Sequence, residues 1–600
     1  MKNHLNTQPE WRVEEGAIVA SVTFIATTVV LEYLSWQVQI PFSRDIEWKD
    51  WPLLAKALWG CTLSTLGIKI QSWLDIAAML NVSGYKTLFL WHFYLPLFLS
   101  SPMSIYLGYL CAKPVDQYHA RGAILLSGSD AVIYAKKKVK AINKKLHVSD
   151  LPQGLLTHPK IRLPIGSDTR GTLYWGAPNA GKTQTLMPAI LDALEQQLNA
   201  KTCILDNKGD FTEIFDENQS IILAPWDTRC IAWDIGQDIR TELDAGLFAQ
   251  SLIKEVKGDN AVFSDASRVA LIGFVVCLQQ KYGMNWGWKH LAECLEWSLE
   301  HTIDEFQHFY RIGLGIFKEG SKSSDSVYFS LIANLSFLRQ LAQAWPKSVG
   351  GLSLREWIRD DSDEKPILLL QASKAFPTVS DAYICAVLNV LIKLILSPTF
   401  IDSSTRRIHF VLDEIAQIPY IEQLKNLAAL GRSKGACIWL GIQDFDLLVD
   451  NYGQHEVNSL IGMMQTKIIL SMGSGTGADF ASKLIGDREI FTQDFDENGN
   501  RIPLTQVQRL VAPSEISQLS QPTLQSGING WITVTGWNAV LRLNWPIKKF
   551  EKVREGVELA EWIDQPLVAN ITDHVVRAAV SSDKKRLIKI KKSKNSGDES

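Results

Sequence analysis

Gly176-Ala177-Pro178-Asn179-Ala180-Gly181-Lys182-Thr183 is the stretch on which the fold turns. Apolar Gly171–Trp175 (GTLYW) precedes it, and the helix-forming run Thr185–Gln197 (TLMPAILDALEQQ) follows it. A GxxxxGK[ST] pattern between a strand and a helix is a phosphate-binding loop. Its glycines let backbone N–H groups curl around phosphate oxygens at a helix N-terminus, Lys182 reaches the β- and γ-phosphates, and the Thr183 hydroxyl ligates Mg²⁺. The expected ligands are ATP and Mg²⁺, and the expected fold is α/β.

A phosphate loop alone names no reaction, so a second half of the site is needed. Ile408-His409-Phe410-Val411-Leu412-Asp413-Glu414 reads as an apolar strand that ends in two carboxylates. Asp413 suits Mg²⁺ through its water shell, and Glu414 suits the polarisation of an attacking water. Two more strand-like runs end in polar residues: Lys201–Leu205 leads into Asp206-Asn207-Lys208-Gly209-Asp210, and Ala436–Ile442 leads into Gln443, an amide suited to sensing a γ-phosphate. Functional groups gather at the carboxyl ends of parallel strands. Before the last of these strands lies Gly431-Arg432-Ser433-Lys434-Gly435. It reads either as an arginine offered to a neighbouring subunit's nucleotide or as a solvated helix-to-strand turn.

Composition limits the rest. The 600 residues are 46% hydrophobic and 21% charged, enough for a large core and more than one domain, and unlike a disordered chain. With 61 Lys+Arg against 64 Asp+Glu there is no global basic field, so any nucleic-acid contact must come from local patches. The eight cysteines, Cys61, Cys111, Cys203, Cys230, Cys277, Cys294, Cys385 and Cys437, form no CxxC pair and have no metal-ligand spacing with histidine; they read as reduced, mostly buried core residues.

Thr87–Ala112 runs for 26 residues without Asp, Glu, Lys or Arg; at about 1.5 Å per residue that exceeds a bilayer core of roughly 30 Å. Gly16–Gln37 is apolar apart from Glu32 and reads as a second crossing, with a buried or interfacial helix as the alternative. Glu14 and Glu15 argue against a signal peptide. Lys113, Arg121, Lys136, Lys137, Lys138, Lys140, Lys144 and Lys145 place the following chain in the cytoplasm. Residues 38–86 then form a small periplasmic segment, or the amphipathic stretch 55–80 forms a third, interfacial helix.

GAPNAGKT, LDNKGDF (205–211), LAPWDTRCIAWDI (223–235), HFVLDEIAQIP (409–419), GRSKG (431–435) and GIQDFDLLVDNYG (441–453), taken in this order, resemble the TraD-type coupling proteins of conjugative type IV secretion systems. The resemblance runs from the membrane segments to about residue 490. It implies a RecA-like P-loop domain with an inserted all-α domain behind a two-helix transmembrane anchor. It also implies a homo-hexameric ATPase of the bacterial inner membrane that passes a relaxase-bound single strand of DNA from the relaxosome to the type IV secretion channel components. Arg432 is then the trans-acting finger and Gln443 the sensor.

The implied division is an anchor (1–112, crossings at 16–37 and 87–112), a nucleotide-binding domain in two parts (113–243 and 358–560), an all-α insertion (244–357) and a tail (561–600). The insertion's helical runs are rich in Trp and Phe, which read as core in preference to a base-stacking surface. Residues 491–548 hold strand-like VQRLVAP and GWITVTGWNAVLRLNWP, suited to closing the sheet. The tail carries Lys584, Lys585, Arg586, Lys589, Lys591, Lys592 and Lys594, either a phosphate- or partner-binding run or a solvated end. Two other functions share these motifs: a receptor for protein cargo alone, and a double-stranded DNA pump of the FtsK kind.

Overall fold

The computed structural model describes residues 13–37, 56–112 apart from 57, 58, 61, 62, 65, 66, 69 and 85, then 118–146, 151–197, 200–253, 261–317, 322–346, 349–359, 365–495 and 501–563. Most of the expected periplasmic segment and the basic run of the tail lie outside these residues. The chain divides into two compact units, residues 1–119 with 490–505, and 120–489 with 506–600.

The first unit holds helices α1 (Val13–Gln37) and α2 (Lys86–Ala112), both long and apolar enough to cross a membrane. They pack antiparallel through small residues. A Cβ on Gly16 would meet the Ala112 Cβ at 2.5 Å, and one on Gly108 would meet the Ala20 Cβ at 2.6 Å. Such small-xxx-small steps let backbones approach where no water drives association. Further along, Thr28 and Ser100 share a hydroxyl hydrogen bond of 2.7 Å across the pair.

The second unit is built on a ten-stranded sheet. Its strands in chain order are β1 (Ile124–Ser127), β2 (Thr172–Trp175), β3 (Lys201–Asp206), β4 (Ser220–Leu223), β5 (Ile367–Gln371), β6 (Ile408–Leu412), β7 (Ala436–Ile442), β8 (Thr466–Ile469), β9 (Ile528–Val534) and β10 (Ala539–Trp545). Their spatial order is β1-β10-β9-β8-β2-β7-β6-β3-β5-β4. From β8 to β4 all neighbours are parallel. The residues of β2 to β8 are buried throughout, as a parallel sheet covered on both faces demands. The hairpin β9–β10 joins antiparallel to β8; it is the expected closing pair, whereas Arg501–Arg509, which contains the start of VQRLVAP, is a strand outside this sheet.

Two helices carry the site's architecture. α3 (Lys182–Gln196) follows the phosphate loop, and α4 (Pro377–Leu396), opened by a proline at its first position, follows β5. α4 and Ala261–Tyr282 are also apolar over a membrane-spanning length, but both bury most of that surface inside this unit. Between β4 and β5 the described residues contain helices, the longest Ala261–Tyr282 and Lys322–Leu335, and no strand of the sheet. They share one compact unit with the sheet. Trp286, Trp288 and Trp345 from this region are fully buried, so these tryptophans are core and stack no base.

Beyond β10 the chain crosses to the far side of the sheet as an irregular strap. Val553 N–H donates to Glu213 O (2.8 Å) and Ala560 N–H to Trp226 O (2.8 Å). The Arg554 guanidinium donates to Thr212 O (2.8 Å) and the Ser220 hydroxyl (2.7 Å).

Candidate functional site

β2 and β6 flank β7, so the phosphate loop and the two carboxylates emerge side by side at the carboxyl ends of parallel strands. The loop is held from both neighbours: Gly176 N–H donates to Ile442 O (3.1 Å) and Ala177 N–H to Ser471 O (2.8 Å). Asn179 (φ 65°) and Gly181 (φ 89°) are left-handed, which curls the chain into a concave turn of amides at the start of α3. A Cβ on Gly181 would also run into the Ile528 side chain at 2.6 Å, so this position is glycine for two reasons.

Lys182 is 4% exposed, and its ammonium lies 3.0 Å from Glu414 Oε2 and 3.7 Å from Asp413 Oδ1. It also donates to the Asp413 carbonyl. Residues 232 positions apart in the chain thus meet in one buried cluster. Glu414 Oε1 accepts the Gln443 backbone N–H at 3.3 Å. Burial pushes the carboxyls of Asp413 and Glu414 above the usual carboxylate range; the Lys182 charge works against that shift in both, and Asp210 adds to it at Asp413.

Whether this setting suits a magnesium nucleotide is testable on its own atoms. Asp413 Oδ1 is buried and has no hydrogen-bond partner among the described residues, and the neighbouring Asn207 amide is in the same condition at both polar atoms. Buried polar groups left open at a site call for a polar ligand or water. Beside them lies a cavity of roughly 860 Å³, bordered by Ala177 and Pro178 of the loop, Asn207, Glu414 and Gln443. The residues fit the group. Thr183 stands half-buried in the first turn of α3, on the loop side of this arrangement.

Of the residues singled out from sequence, Gly176 to Thr183, Asp413, Glu414 and Gln443 come together. Arg432 does not join them. It is exposed in the 3₁₀ turn Gly431–Lys434 at the amino end of β7, whereas Gln443 follows the carboxyl end; seven residues of strand span roughly 23 Å. Its neighbour there is Arg170, whose guanidinium is driven down from its ordinary pKa by burial and by the Arg432 charge. Sequence reasoning missed Gly441: a Cβ there would sit 1.9 Å from Asp413 O, so only glycine lets β6 end where it does. No local pattern marks that requirement, which arises from strand pairing.

Residues 155–531, more than half of the chain, match the family model described as the type IV secretion-system coupling protein DNA-binding domain. The chain is 24% identical over 335 residues to the coupling protein TraD of Escherichia coli (strain K12), a match spanning 54% of this chain and 45% of that relative's length. Among solved structures it resembles the unbound bacterial conjugative coupling protein TrwB lacking its first 70 residues, with TM-score 0.61 and 20% identity over 74% of this chain and 97% of the other. TrwB in complex with ADP and Mg²⁺ superposes with TM-score 0.60 at 20% identity, over 74% and 99% of the two chains. These likenesses show a shared fold. By the extent of the family match, the chain belongs to the type IV secretion-system coupling proteins, through their DNA-binding domain.

Proposed function

We propose that this chain is an inner-membrane ATPase that couples ATP hydrolysis to the movement of single-stranded DNA into a conjugative channel. The observation that carries the reading is the buried meeting of Lys182 with Asp413 and Glu414, the last of which borders the cavity beside the phosphate loop. TrwB, which shares the fold, was solved with ADP and Mg²⁺.

In this reading the backbone amides of Gly176 to Thr183 bind the phosphates, and Lys182 leaves Glu414 to neutralise their charge. Thr183 and Asp413 hold the metal, which supplies charge stabilisation at the transferring phosphoryl group. Glu414, released from its lysine, orients and polarises water, and Gln443 reports the terminal phosphate to β7. Arg432 serves the site of the next protomer, which its place at the opposite end of β7 favours, and so hydrolysis requires a ring of subunits; a homo-hexamer is the assembly we propose. α1 and α2 anchor the ring, and residues 244–357 form the all-α insertion facing the cytoplasm. The relaxase of a relaxosome delivers the strand, and the type IV secretion channel receives it.

The experiment is a hydrolysis assay on the purified full chain with and without single-stranded DNA. Turnover stimulated by single strands and abolished in Lys182→Ala is expected. Stimulation by duplex alone would favour a double-stranded pump, and indifference to any DNA would favour a receptor for protein cargo.

A further inference from the structure

Asn207 follows Leu205 by two residues as Glu414 follows Leu412 by two, and Leu205 and Leu412 are partners in the adjacent parallel strands β3 and β6. The asparagine therefore emerges beside the carboxylate pair. Its Oδ1 and Nδ2 are both buried and neither has a hydrogen-bond partner among the described residues. The side chain borders the same cavity as Glu414 and Gln443.

The turn that carries it is held by the Asp206 carboxylate. One Asp206 oxygen accepts the N–H groups of Lys208 (3.3 Å) and Gly209 (2.8 Å), and the other accepts the N–H (2.8 Å) and hydroxyl (2.8 Å) of Thr212. From outside, the strap presses on the same turn: a Cβ on Gly209 would meet Gly556 Cα at 3.0 Å, and Gly556 O accepts from the Gln371 amide (2.9 Å). The turn around Asn207 is thus held on both sides, while the Asn207 amide, like Asp413 Oδ1 beside it, is left open. A buried amide with two open valences costs free energy in the empty protein, and a rigid frame that keeps it so marks a preorganised contact.

We propose that Asn207 is a further substrate-contacting residue of this site, its amide hydrogen-bonding to the hydrated terminal phosphate of the nucleotide. This rests on the reading of the site as nucleotide-binding. An amide donates to a phosphate oxygen and accepts from a water at once, which neither Lys182 nor the two carboxylates can do, and it adds no negative charge beside Asp413 and Asp210.

The test uses the full chain and two variants, Asn207→Leu, which keeps the shape and removes the polarity, and Asn207→Asp. Three quantities are read: melting temperature without nucleotide, the affinity ratio between a non-hydrolysable ATP analogue and ADP with Mg²⁺, and turnover. Asn207→Leu is expected to melt at or above the wild-type temperature, to lose the preference for the ATP analogue by at least about fivefold, and to turn over at least ~10-fold more slowly. Asn207→Asp is expected to lose more of both. An unchanged analogue-to-ADP ratio in Asn207→Leu overturns the proposal whatever turnover does, and so does a fall in melting temperature beyond about two degrees, which would make the residue a structural one. A wild-type chain that hydrolyses no ATP removes the hydrolytic reading while leaving the affinity comparison intact.

Discussion

Lys182 is the residue around which the candidate site is arranged, and its burial against Asp413 and Glu414 sets what its loss does. Removing the ammonium strands two buried carboxylates and, in the proposed mechanism, takes the phosphates' counter-charge away. Lys182→Ala is therefore expected to weaken nucleotide binding and to lower turnover by at least ~100-fold, as read by titration with a fluorescent ATP analogue and by phosphate release. The same burial gives a pH signature. In the proposed mechanism Asp413 and Glu414 work as ions, and burial raises their pKa values in the nucleotide-free chain, so turnover at sub-saturating nucleotide should fall with acidification at a pH above the usual carboxylate value of about 4. Stability has the opposite sign: a raised pKa in the folded state adds stability that is present below the unfolded value and lost as pH rises through the folded one. A pH–rate profile beside melting curves of the nucleotide-free chain checks both. The members of this cluster were legible in sequence, because GxxxxGKT and a strand ending in Asp-Glu are local patterns. Gly441 was not, since its need arises where Asp413 O presses on it from the next strand.

At the scale of elements, β3, β6 and β7 were readable as apolar runs and appear within a residue of their expected limits, because strands buried on both faces carry continuous hydrophobic sequence. Strand order was not readable. Nothing local says that β7 inserts between β2 and β6 or that β3 pairs with both β6 and β5. A buried network at the amino ends of these strands was equally hidden. The Arg407 guanidinium meets Asp168 at 2.5 Å, the Gln197 amide donates to Asp168 (3.0 Å), and His409 Nε2 donates to Gln197 Oε1 (2.7 Å). These residues come from three segments, and none stands out in its own. Hydrophobic length announced α1 and α2, yet their contact depends on four small residues. Gly108→Leu should force α2 away from Ala20, at a cost of about 1–3 kcal/mol. Disulfide trapping between cysteines introduced at positions 28 and 100 should then fall against the same pair in an otherwise wild-type background. Equal trapping would mean that the helices do not rely on this approach.

For the molecule as a whole, the placement of Arg432 has the largest consequence. An arginine at the amino end of β7 lies roughly 23 Å from the carboxyl end of that strand, so in the proposed mechanism one chain by itself holds an incomplete site. Turnover per chain should therefore rise with protein concentration. Arg432→Ala should cost ~10³-fold in turnover while nucleotide affinity stays within about threefold; tight binding lost on that substitution would argue for a role within the chain's own site. The two long apolar helices and the phosphate-loop fold were both visible in sequence, but the strap across the far side of the sheet was not, because it has no regular pattern and is held by side chains such as Arg554.

The most direct test is the structure of the full chain with Mg²⁺ and a non-hydrolysable ATP analogue. The expected result is phosphate within the turn of Gly176 to Thr183, with Lys182 moved from Glu414 onto it and Asp413 facing the metal. An analogue bound elsewhere, with the Lys182–Glu414 pair undisturbed, would contradict it.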